Sequence, residues 1–479
     1  MTIKLDDIMD QRLAQLDNAK QKFDKMNKVS VPKIQKIPVL LRQNERFAMY
    51  CSPKMISFGP IHHNKEDLKQ AEDYKLLWTS KFVAEHSEKQ VTDQAIAKAL
   101  LERIEDNIEE LKNQFSEDLL LGEMYDDKYL AWMLFVDGCS LLYFMEYVDI
   151  NHPEALNIKL DQLTHMWRDS CLLENQLPRR LLEMLSKTEG TDLEYLYYNH
   201  LSWCTSKREG SVRFSVQNPK PIHILDFCRS YFLSPQKFVN HDKNNQIEIN
   251  EISNQQNDDD DDYDDYDDEH SIDADMVRWH TCKNIRDLKI AGIRMLPNLS
   301  CENPFAWNNI HFTSKWFSGE LRLPMFVFTN FTPCLFRNLV AYEMCPDVCY
   351  KYECCSFFSF MDSLIDTAED VKELRISGVF QNLLGSDEDL ANLFNELGYD
   401  LPTKVFCENV FISTNVVAFS KKYIVVKQQI EKHCANKWKT WLAEGYNTHF
   451  DTPWTMVAFL AALLALSLTF IQTWFSIPI

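Results

Sequence analysis

Apolar positions recur along this 479-residue chain with three different spacings, and each spacing marks a different kind of element. Near the start, Leu5, Ile8, Met9, Leu13, Leu16, Phe23 and Met26 fall three to five residues apart or at multiples of a turn, which predicts one amphipathic helix within residues 1–30. Such a helix either packs on the body or serves as a short coiled-coil or partner-docking arm. From Val31 to His63 the pattern lapses, because Pro32, Pro38, Pro53, Gly59 and Pro60 break any long helix. Helical spacing then dominates from Lys65 to Lys187. Within it, Tyr129 to Val148 reads YLAWMLFVDGCSLLYFMEYV, apolar nearly all round with Asp137 and Gly138 at its middle. That predicts the buried central helix of a soluble body rather than a second membrane span.

Beyond Tyr231 the apolar residues thin out into Asn, Asp and Gln, so residues 241–275 are expected to form a disordered acidic linker that cannot offset the entropy of ordering. Trp279 to Ile290 reads as helix, and IHFTSKWFSGELRLPMFVFT alternates around Ser318-Gly319 as a hairpin does. Helical spacing returns from Phe336 to Asp400 and again from Asn415. The expected fold is mainly α: a helical N-terminal part of the body over 31–240, a C-terminal part over 276–450 with a small β-hairpin or sheet, and one C-terminal transmembrane helix over 454–477. The linker divides the body without marking two autonomous folds.

The third spacing is no spacing at all. After Asp451 the chain reads PWTMVAFLAALLALSLTFIQTWFSIPI, and the 24 residues from Trp454 to Ile477 form about 36 Å of helix at 1.5 Å per residue. That exceeds the hydrocarbon core of roughly 30 Å, so the segment spans with tilt. Trp454 and Trp474 stand 20 positions apart, about 30 Å along a helix, which places one indole at each membrane interface. Lys421, Lys422, Lys427, Lys432, Lys437 and Lys439 precede the helix, and only the terminal carboxylate follows it. By the positive-inside rule the body is expected in the cytosol, and Lys432, Lys437 and Lys439 form a basic flank suited to anionic lipid. The opening TIKLDDIMDQRL lacks the apolar core of a signal peptide, so insertion is expected after synthesis, as for a tail anchor. Asn298-Leu-Ser and Asn330-Phe-Thr are glycosylation acceptor triplets that matter only if the body lies outside the cytosol.

A net charge of −21 sets nucleic acid aside as a partner. Ten acidic residues sit within Asp258–Glu269, interrupted only by Tyr263 and Tyr266, and read as a solvated tether, with a dock for a basic partner or weak cation binding as alternatives. The partners expected are a lipid bilayer and an unknown protein. No cofactor is expected: there is no phosphate-cradling glycine loop, GxSxG elbow or HExxH pair, and only 11 glycines occur. His62 and His63 are adjacent, so their side chains diverge and no third metal ligand stands near them. Cys345, Cys349, Cys354 and Cys355 lack paired CxxC spacing and read as reduced thiols, a zinc site or an extracellular disulfide pair. Cys139 lies beside Asp137, a neighbour that raises a thiol pKa. Glu174, Asn175 and Gln176 read as capping and burial-satisfying groups.

In one order along the chain stand VPKIQKIPVLLRQNERFAMYCSPKMISFGPIHHN from Val31, FVDGCSLL from Phe135, SCLLENQLPRRLLEML from Ser170, PIHILDFCRSYF from Pro221, LFRNLVAYE from Leu335, MDSLIDTAEDVKELRISGVFQNLLGSDEDLANLFNEL from Met361, and the terminal apolar run. With these blocks the chain resembles the plant family of domain of unknown function 247. Ile61 departs from it, standing where an aromatic residue is usual after Gly-Pro. The resemblance implies a mostly helical body with a C-terminal membrane segment and brings no catalytic residues. The anchor, the absent catalytic motifs and the disordered insert point to a membrane-anchored, non-enzymatic role in recognition or signalling, and the resemblance implies its most specific form, a pollen-side determinant of self-incompatibility as in grass members. A structural or stress-response scaffold, or an enzyme with an unrecognised site around His62, His63 and Cys139, are the alternatives.

Overall fold

A computed structural model describes residues 9, 12–20, 32–86, 91–119, 126–186, 193–201, 220–233, 284–299, 305–316, 318–348, 352–399, 401, 420–435 and 453–476. The helix Asp127–Tyr147 runs through the middle of the body, as its apolar pattern predicts. Asp126 caps it by accepting the Tyr129 N–H at 2.7 Å, satisfying one of the free donors of the first turn. Nearly every residue from Leu130 to Met145 is buried, because the helices Gln70–Glu85, Asp93–Asp106 and Arg179–Leu185 cover it on different sides. Gly138 lets the last of these approach: a Cβ there would stand 2.4 Å from Leu185 Cδ1.

The C-terminal part adds two small sheets. β1 (Ile293–Pro297), β3 (Gly319–Leu323) and β2 (His311–Ser314) lie in that order, β1 parallel and β2 antiparallel to β3. β2 and β3 are the expected hairpin. β4 (Phe326–Phe328) instead pairs in parallel with β5 (Phe380–Asn382). Helices Thr332–Glu343, Glu353–Asp362, Ala368–Ile376 and Asp387–Tyr399 follow the predicted spacing, and Lys421–Cys434 packs on β2.

Within the proline-rich stretch the only helices described are short, Val39–Arg42 and Glu45–Cys51; Pro38 precedes the first and Asn44 caps the second, in keeping with prolines that break any long helix. Residues 12–20 of the N-terminal segment are helical, but Met9, Leu13 and Leu16 are 55, 53 and 67% exposed, so the described part of the stripe is not packed on the body. The expected linker over 241–275 lies outside the described residues. A single apolar core draws side chains from both sides of it, from Ile34 to Cys434. Beyond the body, Pro453–Ser476 is one helix of 24 residues. Its window Val457–Trp474 is long and apolar enough to cross a membrane, and none of it is buried.

Candidate functional site

The irregular segment from Ser52 to Asn64 crosses the body without the hydrogen-bond ladder of a helix or sheet, so its buried N–H and C=O groups need partners from elsewhere. Side chains of the block around Ser170 supply them. Asp169 Oδ2 accepts the N–H groups of Lys54, Met55 and Ile56 at 2.8, 2.6 and 3.2 Å. Its other oxygen holds Arg168 at 2.8 Å, and Arg168 donates in turn to the Ser52 carbonyl at 2.9 Å. Asn175 accepts from Phe58 N–H at 2.7 Å and donates to the carbonyls of Ile56 and Asp169. Gln176 donates to Ser170 and Leu172 and accepts from Leu225.

The next turn of the segment reaches the central helix. Asp137 Oδ2 accepts Gly59 N–H at 2.8 Å, while Oδ1 pairs with Lys75 at 2.6 Å. Lys75 also donates to the Ser57 carbonyl at 3.0 Å and meets Glu72 at 2.7 Å. Gly59 has φ of +72°, and a Cβ there would come 3.1 Å from the Gln176 carbonyl, so both backbone conformation and room call for glycine. Glu174 accepts Ile37 N–H at 2.8 Å and stands 3.0 Å from His62 Nε2 and 3.7 Å from Arg42. The His62 contact is one of proximity, since the ring nitrogen is not aligned for a hydrogen bond.

Electrostatics follow from burial set against these partners. Burial pushes the Lys75 ammonium down, but Asp137 and Glu72 more than offset it and the net shift is up. Burial acts on Glu174 in the upward direction, yet His62, the Ile37 N–H and Arg42 hold its carboxyl below the usual range. Beside this hub, Ser170 Oγ sits 2.7 Å from His200 Nε2 and 3.9 Å from Cys171 Sγ. A hydrogen bond with Cys228 is the main pull that draws the Cys171 thiol down; burial opposes it and His200 adds to it. Cys171, Cys228, Ser170 and His200 are all buried.

Glu174, Asn175 and Gln176 therefore do what their positions suggested, satisfying buried backbone. The residues considered for hidden catalysis point apart: His62 faces Glu174, His63 lies 2.8 Å from the Tyr129 hydroxyl, and burial pushes the Cys139 thiol far up. Cys345, Cys354 and Cys355 are buried free thiols, the last two raised by burial and then by Glu343; Cys349 lies outside the described residues. Among the described residues no group of three His, Cys, Asp or Glu could hold a metal ion.

At the surface, Trp474 is exposed on the apolar helix and Trp454 lies in its first turn. Lys432 is exposed on Lys421–Cys434, whereas Lys437 and Lys439 lie outside the described residues. Asn298, a glycosylation candidate only if the body lies outside the cytosol, is fully buried and donates to the Asn309 carbonyl at 3.0 Å, so a glycan at that nitrogen is incompatible with this fold. Asn330 is exposed.

The sequence signal missed the ion pairs. Lys75 looks like any surface lysine on an amphipathic helix, and only the unusual Asp137 in an apolar run hints that a buried cation must meet it.

The model of a family described as a plant protein of unknown function matches residues 34–468. The UPF0481 protein At3g47200 of Arabidopsis thaliana is 26% identical over 439 residues, covering 88% of this chain and 81% of the relative. The putative UPF0481 protein At3g02645 of the same plant is 23% identical over 505 residues, covering 89% and 88%. No solved structure matches the chain.

Proposed function

Because the chain belongs to this plant protein family of unknown function, whose members bring no catalytic assignment with them, we propose that it is a non-enzymatic recognition or signalling protein held on a membrane by one C-terminal helix. The observation that carries the reading is a contrast in burial. The polar groups of the hub are turned inward and used for folding, while the window Val457–Trp474 is apolar and covered by nothing. Leaving this predominantly apolar window of 18 residues in water is strongly unfavourable, at about 25 cal/mol for each Å² of apolar surface, and a bilayer removes that cost.

On this reading the body faces the cytosol and meets a protein partner through its surface. The full chain is expected to stay in the membrane pellet after alkaline carbonate washing, and a chain ending before Pro453 to move to the supernatant. Release of the full chain by carbonate would overturn the anchor. Protease added to sealed vesicles should cut the body from the cytosolic side; full protection, with a glycan on Asn330, would reverse the orientation.

The finer form of the proposal, a pollen-side determinant of self-incompatibility, is supported by family resemblance alone. It requires that alleles differ between plants that reject one another's pollen. Near-identical alleles in such plants would remove it.

A further inference from the structure

Strand alternation puts Arg294 of β1, Glu320 and Arg322 of β3, and His311 and Thr313 of β2 on one face of the three-stranded sheet, with Lys315 following at the end of β2. The register sets Arg294 and Thr313 on either side of Glu320, and His311 beside Arg322. Arg294, Lys315 and Arg322 share that single carboxylate at 3.0, 2.5 and 3.5 Å. The face is therefore cationic on a chain whose net charge is −21. Lys422, at the start of the helix Lys421–Cys434, adds its charge beside His311.

The place of this face in the chain matters as much as its sign. His433 lies 2.8 Å from Ser314 Oγ and edge-on to Phe312, so the helix Lys421–Cys434 ends beside the β2–β3 turn. Among the described residues this helix is the last before the apolar helix at Pro453. At that turn stands Trp316, 81% exposed, an indole of the kind that settles at a membrane interface.

We propose that the cationic face of the three-stranded sheet, with Trp316 at its edge, docks on an anionic phospholipid leaflet of the same membrane that the C-terminal helix enters. The inference rests on the anchor reading. A second copy of the chain would bring a face of the same sign and be repelled. The segment Asp258–Glu269 has the complementary charge, but Tyr263 and Tyr266 are the only rings it offers Trp316, where a leaflet offers a continuous interface. A leaflet offers both, and the tether keeps it at high local concentration.

The test uses the full chain in nanodiscs of neutral phosphatidylcholine, or of the same lipid with phosphatidylserine, read by hydrogen exchange of residues 311–323. Failure to enter nanodiscs sinks the anchor reading and this inference with it. With the chain incorporated, exchange should slow in the anionic discs and recover at about 0.5 M salt, where the Debye length is only a few ångströms. Arg294→Gln with Arg322→Gln leaves Lys315 paired to Glu320, so the hairpin keeps its fold. At about a factor of five per cation near an anionic surface, the double variant should lower the docked-to-free ratio about 25-fold. Glu320→Gln should deepen the protection. Equal exchange in both lipids overturns the docking while leaving the anchor intact. So does protection that is independent of lipid charge and vanishes on deleting Asp258–Glu269, which would make the acidic segment the occupant.

Discussion

Asp137→Asn is expected to destabilise the full chain by about 3 kcal/mol, and Asp137→Ala by about 4 kcal/mol, as a lowered urea midpoint in detergent micelles followed by circular dichroism. Both partners of the Lys75–Asp137 pair are buried in side chain. Either substitution leaves the Lys75 ammonium with the Ser57 carbonyl and the half-exposed Glu72. Alanine also orphans the Gly59 N–H, which asparagine can still meet. Adding Lys75→Met to Asp137→Asn should restore much of the loss, because the uncompensated cation goes with it. Losses that simply add in the double variant would show that the pair does not act as a unit. The sign of the pH dependence is fixed by the upward shift of Lys75. Its contribution is complete below the ordinary lysine value of 10.5 and fades only as pH rises through the higher folded value, so the share of wild-type stability due to this cation should be flat from pH 6 to pH 9.

The same pair shows why the fold was easier to read than the hub. An all-round apolar run such as Leu130–Met145 announces burial by itself, because no other environment suits it. The hairpin around Ser318-Gly319 is likewise local, with both strands and the turn adjacent in sequence. β1 and β5 are three to five residues long and parallel to strands 26 and 54 residues away in register, which no local pattern encodes. The hub fails to show for a similar reason. Its carboxylates act on backbone N–H groups 78 to 137 residues distant, as Asp169 does on Lys54 to Ile56. Glu174, Asn175 and Gln176 were legible as satisfied polar groups, but their partners were not. The apolar helix was legible in full because its length is set against a solvent, not against another part of the chain.

Whether the acidic segment separates two folding units turns on a second carboxylate. Glu343 is fully buried in side chain; Oε1 accepts Arg229 Nε at 2.8 Å and the Cys354 N–H at 2.9 Å, and Oε2 accepts the Cys355 N–H at 2.9 Å. It thus compensates a buried guanidinium from before the segment and donors in the first turn of the helix Glu353–Asp362 after it. Burial alone would lower Arg229, but Glu343 and its neighbours turn the net shift upward. Glu343→Ala is expected to cost about 4 kcal/mol, since it leaves a buried cation beside the 43% exposed Glu353 and frees two buried N–H groups. Asn338, which accepts the Leu173 N–H at 2.8 Å, and the Trp167–Phe331 ring contact at 4.2 Å also join the two parts. With so many ties across one core, the variant should lose hydrogen-exchange protection in Asp127–Tyr147 and in Asp387–Tyr399 at the same urea concentration. Loss confined to Asp387–Tyr399, with the central helix still protected, would mean that the two parts fold separately and that Arg229–Glu343 is a contact between them rather than part of a shared core.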